Sequence, residues 1–339
     1  MRPEPLALDS AMSTPESLHP TVTFTVFTPT WKRDHLIHRV FEALCAQTFR
    51  DFEWIVVEDG STGQTRALVE EWSQVAEFPV RYFWQPNQGK HVAHNLALEH
   101  AQGRFFIVLD DDDACVPQAL EYFYYYWNLI PFAQQRDFAG IGVHCVSEYG
   151  ELSGDPYPEP IFDATYLEMK YGRKVTGEKW FAFCTDVLRA YPYPVFPGSS
   201  YYLVEDVVWT KIARKYKMRF VNSALRIYYQ HQGHDQITRR LKREQINYRA
   251  IAPVKIVEKR QYLSDLTDYL PGNWKLFYLT GVHYTRFSFH QGIPLAGQWR
   301  DIGNSTGRAL WLAGLPIGLA LFGRDLLIMQ KNRRSGWTG

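Results

Sequence analysis

The sequence predicts an α/β fold, a mostly parallel sheet flanked by helices, followed by a mainly helical C-terminal extension. In the first third of the chain, runs of β-branched and aromatic residues alternate with segments whose apolar residues recur at helical spacing. Strands and helices in alternation produce a parallel sheet with helices on both faces. The most polar loops also follow the strands, where sheets of this class bind ligands.

Four strands are predicted before residue 115. They cover Thr21–Thr28, Glu53–Val57, Val80–Trp84 and Phe105–Leu109. Pro29 is expected to end the first strand, because proline has no backbone N–H for the sheet.

Three helices are predicted between these strands. Asp34 is expected to cap the first helix, and Ser61 or Thr62 the second. The third covers 91–102, and Gly103 is expected to end it as a C-terminal cap.

The second half of the chain is less regular. Proline and glycine are concentrated at 150–160 and 192–198, which indicates loops. Glu205-Asp206 is expected to open a helix over 207–217. From about residue 240 the chain is expected to be mainly helical and basic.

Composition excludes some classes of protein. The 339 residues carry a formal net charge of +1, which gives no indication of a nucleic-acid partner. The four cysteines form no CxxC pair, so neither a zinc knuckle nor a disulfide framework is expected.

Three predicted strands end in polar segments. Thr28 ends the first strand, Glu58-Asp59 follows the second, and Asp110 to Asp113 follow the fourth. Because the carboxyl ends of parallel strands meet at one edge of a sheet, these residues are expected to lie close together.

The run of four aspartates predicts a metal site. Adjacent carboxylates repel one another, and a divalent cation removes that cost. Carboxylate oxygens suit Mn²⁺ or Mg²⁺, which also bind substrate phosphates. The other interpretation is a solvated acidic turn before Pro117.

The order of these motifs resembles glycosyltransferase family 2, a group of inverting enzymes with the GT-A fold. The matching segments are Thr28-Pro29-Thr30-Trp31-Lys32-Arg33, Val57-Glu58-Asp59-Gly60-Ser61, Asn87-Gln88-Gly89-Lys90 with Asn95 and Ala97, and Gly103 with Leu109-Asp110-Asp111-Asp112-Asp113. The resemblance covers residues 21 to about 235, and the C-terminal third is only loosely similar.

The resemblance implies a set of nucleotide-sugar-binding residues. Thr28, Pro29 and Thr30 would line the nucleotide pocket, and Asp59 would accept a hydrogen bond from a base such as uracil. Lys90 or Arg33 would balance the charge of the base or the diphosphate. Asp110, with Asp111 beside it, would hold the ribose side, and Asp112 would bind the metal. The structural alternative for Asp59 is a helix cap, and the alternative for Lys90 is a solvated lysine.

The resemblance also implies a catalytic base on the acceptor side. The candidates are Glu205 and Asp206, of which Asp206 is favoured; an acidic helix start is the structural alternative. His231 is a further candidate near the metal or diphosphate, or else a surface histidine. Trp180 and Trp209 are expected in the core, with a sugar-stacking wall as the alternative.

The resemblance implies that the protein is a metal-dependent enzyme, which transfers a sugar from a UDP-sugar to a hydroxyl group. The acceptor would be a glycan or a lipid-linked molecule in cell-surface polysaccharide or glycolipid synthesis. A metal-dependent nucleotidyltransferase and a non-catalytic sugar-nucleotide-binding protein are the alternatives. The loop Thr28-Pro29-Thr30-Trp31 lacks the glycines that a nucleotidyltransferase usually has, and the intact Asp110, Asp112 and Asp206 favour catalysis.

These expectations divide the chain into three regions. Residues 1–20 are expected to be a disordered leader, since they lack the apolar segment of a signal peptide. Residues 21–238 would form the catalytic domain, with a nucleotide-sugar-binding half at 21–115 and an acceptor half at 116–238. Residues 239–339 would form the helical extension.

The extension contains the most apolar stretch of the chain. Its uncharged part, Ala309 to Gly323, is about five residues short of the roughly 20 that span a bilayer. A cytoplasmic protein that touches the inner face of a membrane is therefore expected, with the basic end, Lys331 to Arg334, near anionic headgroups. The predicted membrane face is Trp311, Leu315, Leu319 and Phe322. The alternative is that this face packs on the catalytic domain.

Overall fold

The computed structural model describes residues 20–61, 63–197, 201–230 and 247–334. Its strands are β1 (Val22–Thr30), β2 (Phe52–Asp59), β3 (Val80–Gln85), β4 (Gly103–Val108), β5 (Ala114–Cys115), β6 (Phe138–Ser147), β7 (Ile161–Ala164), β8 (Lys179–Cys184) and β9 (Lys217–Tyr228). Its α-helices are α1 (His38–Cys45), α2 (Thr65–Val75), α3 (Lys90–His100), α4 (Ala119–Asn128), α5 (Thr185–Arg189), α6 (Asp206–Ile212), α7 (Tyr248–Asp265), α8 (Trp274–His290), α9 (Leu295–Asp301) and α10 (Ser305–Arg334).

The strands form one mixed sheet, which confirms the predicted α/β class. The order is β3-β2-β1-β4-β8-β6-β9-β5, and β7 pairs with β9. Strands β1 to β4 are parallel, as predicted, whereas β8 is antiparallel to both β4 and β6. The change from parallel to antiparallel pairing, between β4 and β8, lies directly beside the aspartate run.

The sheet has a core on each face because side chains alternate along a strand. On β1, Phe24 and Val26 pack on one face and Phe27 packs on the other. The first face is covered by α1 and the second by α3, whose Ala93 and Ala97 are fully buried. The buried faces fix the register of the strands and so the positions of the residues at their ends.

Two of the element boundaries that differ from the prediction involve a proline and a glycine. Strand β1 continues through Pro29, which is paired with Val57 at the end of the strand. Gly103 begins β4 and does not cap a helix, because α3 ends at His100. A Cβ atom on Gly103 would lie 2.2 Å from the backbone nitrogen of Thr25, so the close approach of β1 requires glycine there.

The predicted helix caps are also wrong where the structure describes them. Helices α1 and α2 begin at His38 and Thr65, and no side chain among the described residues caps either of them; Thr62, the second candidate cap, lies outside those residues. Asp34 instead accepts a hydrogen bond from the Gln64 backbone N–H at 3.2 Å. Helix α6 ends at Ile212, five residues earlier than predicted, because β9 begins at Lys217.

The C-terminal helices share the core of the sheet. Val254, Leu266 and Phe277 belong to the same buried cluster as Phe27 and Ile55. The side-chain amide of Gln261 on α7 also donates to the Val207 carbonyl at 3.0 Å and to the Thr210 hydroxyl at 2.8 Å, both on α6. Helix α7 therefore supports the helix that carries the acidic pair.

Helices α8 and α10 pack in close contact. Gly281, Gly314 and Gly318 lie at their interface, where a Cβ atom on each would come within 2.7 Å of an atom of the facing helix. Asp325 is fully buried at the far end, where its carboxylate accepts from Arg286 at 2.5 and 2.7 Å and lies 3.0 Å from His290 Nε2. This charged cluster stabilises the end of the helix pair.

The apolar helix α10 is longer than predicted and presents a different face. It continues past Pro316 and Asp325, and Ser305–Lys331 is long and apolar enough to cross a membrane by length and composition. The predicted membrane residue Trp311 is buried, with its indole N–H donating to Gln298. Leu319 is exposed as predicted, and with Leu312 and Leu327 it forms the exposed apolar face of α10.

Candidate active site

The strand ends meet at one edge of the sheet, as predicted. The end of β1 is paired with the end of β2 through Thr30 and Glu58, and β4 lies on the other side of β1. Thr28 and Thr30 are buried, and the Thr28 hydroxyl accepts from the indole N–H of Trp54 at 3.0 Å. Thr28 therefore fixes the strand end from within the core, and Pro29 is the partly exposed member of this loop.

Asp59 holds the loop that leads into α3. Its carboxylate accepts from the backbone N–H groups of Gln88 and Gly89, both at 2.8 Å, and from the Gln85 amide at 2.7 Å. Gly60, next to it, has φ of +79° and lies too close to Asn87 for any side chain. Asp59 thus couples β2 to the segment that carries Lys90.

Three cations surround the aspartate run. The Arg33 guanidinium lies 3.1 Å from Asp111 and 2.8 Å from Asp112. Lys90 Nζ lies 2.7 Å from Asp110.

The third cation, Arg226 on β9, binds Asp113 closely and lies 3.3 Å from Asp110. Arg226 was missed in the sequence because it is more than a hundred residues from the run. A lone arginine in the apolar segment 225–229 is the only signal that the sequence offers.

Burial divides the four aspartates into two pairs. Asp110 and Asp112 keep 26% and 22% of their side-chain surface exposed, against 6% and 5% for Asp111 and Asp113. Burial raises the pKa of Asp111 and of Asp113 to about 7, although Arg33 and Arg226 oppose that shift. Burial also disfavours ionised Asp110, but Lys90 and Arg226 outweigh it and lower the pKa of this carboxyl group.

The two partly exposed carboxylates fit a divalent cation. In the described part of the chain, no three His, Cys, Asp or Glu side chains form a complete protein site for a metal. Mg²⁺ and ions like it are commonly held by one or two carboxylates and completed by substrate phosphates and water. Asp110 and Asp112 meet that requirement as oxygen donors, so the residues fit a cation shared with a diphosphate.

A cavity of about 710 Å³ opens beside Asp110. Polar and charged groups at its wall include Lys90, His91, His94, Asp110, Lys170, Lys179, Glu205 and Arg226, and its aromatic wall includes Phe106, Tyr193, Trp180 and Trp209. The size is that of a site for a small molecule or a segment of a glycan.

The two acids at the start of α6 have different surroundings. Glu205 lines the cavity, binds the Tyr202 hydroxyl closely and lies 3.4 Å from Lys90 Nζ. Asp206 accepts from the Tyr166 hydroxyl at 2.6 Å and from the Tyr262 hydroxyl at 3.1 Å.

The same Asp206 carboxylate forms a close ion pair with Lys170. Lys170 belongs to a short π-helical turn, Glu168–Gly172, and π-turns are frequent at functional sites. The sequence carries no signal for this lysine or for the two tyrosines.

The remaining candidates have mixed positions. Trp180 is buried, and its indole N–H donates to the Val108 carbonyl at 2.6 Å, so it is a core residue that also borders the cavity. Trp209 is partly buried against Phe181 and Tyr166. His231 lies outside the described residues.

The part of the chain that forms this site is similar in sequence to known proteins. Residues 25–183 match the family model described as glycosyl transferase family 2. A GalNAc(5)-diNAcBac-PP-undecaprenol β-1,3-glucosyltransferase from Campylobacter jejuni is 26% identical over 208 residues, which cover 60% of this chain and 63% of that protein.

The poly(ribitol-phosphate) β-N-acetylglucosaminyltransferase TarS from Staphylococcus aureus is 33% identical over 92 residues, 26% of this chain and 16% of that protein. The chain thus spans less than two thirds of the length of these curated relatives. The crystal structure of S. aureus TarS 1–349 in complex with UDP-GlcNAc is similar in fold, with a TM-score of 0.58 and 18% identity over 93% of this chain and 92% of that one.

The mixed sheet with an acidic cluster at its strand ends is the GT-A fold of glycosyltransferases. Residues 25–183 carry a glycosyl transferase family 2 domain, and these relatives are glycosyltransferases.

Proposed function

We propose that the protein transfers a sugar from a nucleotide diphosphate sugar, specifically a UDP-sugar, to a hydroxyl group of an acceptor. One observation carries this proposal. Lys90 Nζ lies 2.7 Å from Asp110, at the nucleotide edge, and 3.4 Å from Glu205, on the acceptor side of the cavity. A donor diphosphate and an acceptor hydroxyl bound at these two acids would lie next to each other, as group transfer requires.

The proposed reaction is a single displacement with inversion. The acceptor oxygen attacks the anomeric carbon, the bond from that carbon to the diphosphate oxygen breaks, and the nucleotide diphosphate leaves with the electron pair. The acceptor proton passes to a carboxylate. Attack opposite to the leaving group inverts the configuration at the anomeric carbon.

Asp110 and Asp112 would hold the divalent cation, Mn²⁺ or Mg²⁺. When bound, the cation supplies positive charge that neutralises the leaving diphosphate. Arg33, which lies against Asp112, and Lys90 would supply further positive charge to the diphosphate. The partial exposure of both aspartates supports this assignment.

Asp206 remains the proposed base, and Glu205 is the second candidate. Asp206 is bound by Lys170, Tyr166 and Tyr262, so it would have to exchange one of these contacts for the acceptor hydroxyl. Glu205 already lines the cavity. Contacts of a catalytic group often rearrange when the substrate binds, so the geometry leaves both residues to the test of substitution.

The proposed acceptor is a glycan or a lipid-linked molecule of cell-surface polysaccharide or glycolipid synthesis. The names of two relatives support it, since one uses an undecaprenol-linked diphosphate and the other poly(ribitol phosphate). The exposed apolar face of α10, with Leu312, Leu319 and Leu327, supports contact with the cytoplasmic face of a membrane.

The proposal is tested by nucleotide release from a panel of UDP- and GDP-sugars, with Mn²⁺, Mg²⁺ or EDTA. We expect release from one UDP-sugar that requires a divalent cation and increases when an acceptor is added. Release of pyrophosphate from a nucleoside triphosphate and a sugar phosphate would indicate a nucleotidyltransferase instead. Binding of UDP-sugars with no turnover under any condition would indicate a non-catalytic protein.

A further inference from the structure

Two histidines on α3 have ring nitrogens without hydrogen-bond partners. His91 and His94 lie three residues apart, on one face of the helix, and both line the cavity. They are only 2% and 8% exposed. Among the residues that the structure describes, both nitrogens of His91 and Nδ1 of His94 have no partner. Unpaired polar atoms in the interior are costly and rare, so three of them at one cavity wall require an explanation.

The histidines are not needed to hold the neighbouring loop. Asn95, the next residue on α3, binds the backbone of Tyr193 in both directions, at 2.8 and 3.0 Å. His94 contacts aromatic rings edge to face, including Phe106 and Tyr193, and His91 lies 6.1 Å from the Phe196 ring. These contacts fill space but do not use the ring nitrogens.

Burial favours the neutral form of both imidazoles. Burial lowers the pKa of His91, and burial together with the nearby Lys90 lowers the pKa of His94 to about 3. A neutral imidazole offers one N–H donor and one nitrogen acceptor. It therefore suits a ligand group that is itself uncharged and can both donate and accept.

The surroundings indicate which part of the donor such a group belongs to. Phosphate oxygens would be bound by the cations next to Asp110, namely Lys90 and Arg226. Sugar hydroxyls are neutral, both donate and accept, and the C–H faces of a sugar ring pack well on aromatic side chains such as Phe106 and Tyr193. From this geometry we infer that His91 and His94 form a subsite for the sugar ring of the donor, with His91 hydrogen-bonded to its hydroxyl or amide substituents.

This inference rests on the proposed function, and the test separates the two. Affinities for UDP and for the UDP-sugar that the wild type uses are measured by calorimetry for the wild type and for His91→Phe, which keeps a ring but removes both nitrogens. We expect about tenfold weaker binding of the UDP-sugar, the effect of one lost hydrogen bond, with UDP affinity unchanged. His100→Phe is the matched control, because His100 lies on the same helix and stacks on Phe83 away from this wall.

Each outcome has one meaning. Unchanged binding of the UDP-sugar by His91→Phe, or an equal loss for UDP, overturns the subsite. If the wild type binds UDP-sugars but never turns them over, the proposed function fails while the affinities still test the subsite. If the wild type binds no nucleotide sugar, both fail.

A second measurement covers a variant that does not fold. Deoxy analogues of the UDP-sugar, each lacking one hydroxyl, are compared on the wild type and on His91→Gln, which keeps a donor and an acceptor. We expect one analogue to bind the wild type about tenfold more weakly. Wild-type binding that is insensitive to every hydroxyl and to the amide would contradict the inference. The melting temperature of His91→Phe should not fall, since the substitution removes unpaired buried atoms.

Discussion

At the scale of single residues, burial distinguishes the four adjacent aspartates, each of which lies against a cation. Asp111 and Asp113 are buried against Arg33 and Arg226, whereas Asp110 and Asp112 stay partly exposed and Asp110 lines the cavity. A buried acid that loses its arginine is left as an unpaired charge in the interior, which is costly, whereas a partly exposed acid can bind a ligand. This alternation along the run is the basis on which Asp110 and Asp112 are proposed as the ligand-binding carboxylates.

The first prediction concerns Asp112. Asp112→Asn should abolish turnover, because an amide oxygen is a much weaker ligand for a divalent cation than a carboxylate. Circular dichroism should show an intact fold, since this side chain is 22% exposed. Asp186→Asn is the control, at an acid that is 90% exposed and follows β8 at the edge of the sheet where β4 begins. Full activity of Asp112→Asn, or of the wild type in EDTA, would rule out the metal assignment.

The second prediction concerns the base. Asp206→Asn should lower kcat by about 10²–10⁴-fold, the usual loss when a general base is removed, with donor binding nearly unchanged. Glu205→Gln should have the smaller effect on kcat. Single-turnover rates at saturating donor make the comparison, and Lys170→Met reports whether the Asp206 ion pair must open. If Glu205→Gln shows the large loss and Asp206→Asn does not, Glu205 is the base.

How far these contacts could be read from the sequence depends on their separation along the chain. The aspartate run and the acidic pair are local patterns. The structure places the run at the strand-end edge of the sheet and the acidic pair beside the cavity. Arg226 and Lys170 are found only when distant segments come together. Neither of these two residues stands in a local sequence pattern that indicates its partner, so a search for patterns would not have selected them.

At the scale of elements, the parallel strands were predictable and the antiparallel ones were not. Strands β1, β2 and β3 are neighbours in chain order and β4 pairs parallel with β1, so local composition and the rule for strand–helix–strand units suffice. Strands β8, β6 and β9 are neighbours in an order that differs from their order in the chain. That order is set by long-range packing, which periodicity does not reveal.

The third prediction concerns the pairing of α8 and α10. Asp325→Leu should destabilise the protein by about 3–5 kcal/mol, because it leaves the Arg286 guanidinium buried without its partner. The double variant Arg286→Met/Asp325→Leu should recover much of that loss. Chemical denaturation monitors both, with Asp186→Asn expected within about 1 kcal/mol of the wild type as a surface pair. Equal stabilities for the single and double variants would contradict the role of the buried pair.

The fourth prediction concerns the exposed face of α10. Leu312→Glu/Leu319→Glu/Leu327→Glu should reduce co-sedimentation with anionic phosphatidylglycerol vesicles, because the carboxylates oppose both apolar insertion and the negative surface. Unfolding midpoints should stay close to the wild type, since these side chains are 41–67% exposed. Gln330→Glu is the control, because it adds a negative charge to the same helix without removing an apolar side chain.

Two results would decide against surface contact. Vesicle binding by the wild type that persists in high salt and in alkaline carbonate would indicate that α10 spans the bilayer, for which its length and composition suffice. A wild type that binds no vesicles would show that the apolar face serves another purpose.

At the scale of the whole molecule, helices α7 and α8 share a buried core with one face of the sheet. Residues 239–339 are predicted from the sequence as a separate extension. However, Val254 and Phe277 lie in the same buried cluster as Ile55 on β2, and Tyr262 reaches Asp206. A continuous core makes the helices part of the support for the acidic pair.

The last prediction follows from that shared core. Phe277 is fully buried on α8, so Phe277→Ala should cost about 3–5 kcal/mol of unfolding free energy through the cavity it leaves. If the core unfolds as one unit, amide exchange in β1 and β2 should accelerate together with exchange in α7 and α8. Hydrogen–deuterium exchange with mass spectrometry measures each segment, and Trp274→Ala is the control because Trp274 is 67% exposed on the same helix. Faster exchange confined to residues 247–334 would instead show that the helices unfold independently of the sheet, and that the catalytic edge is held by the sheet alone.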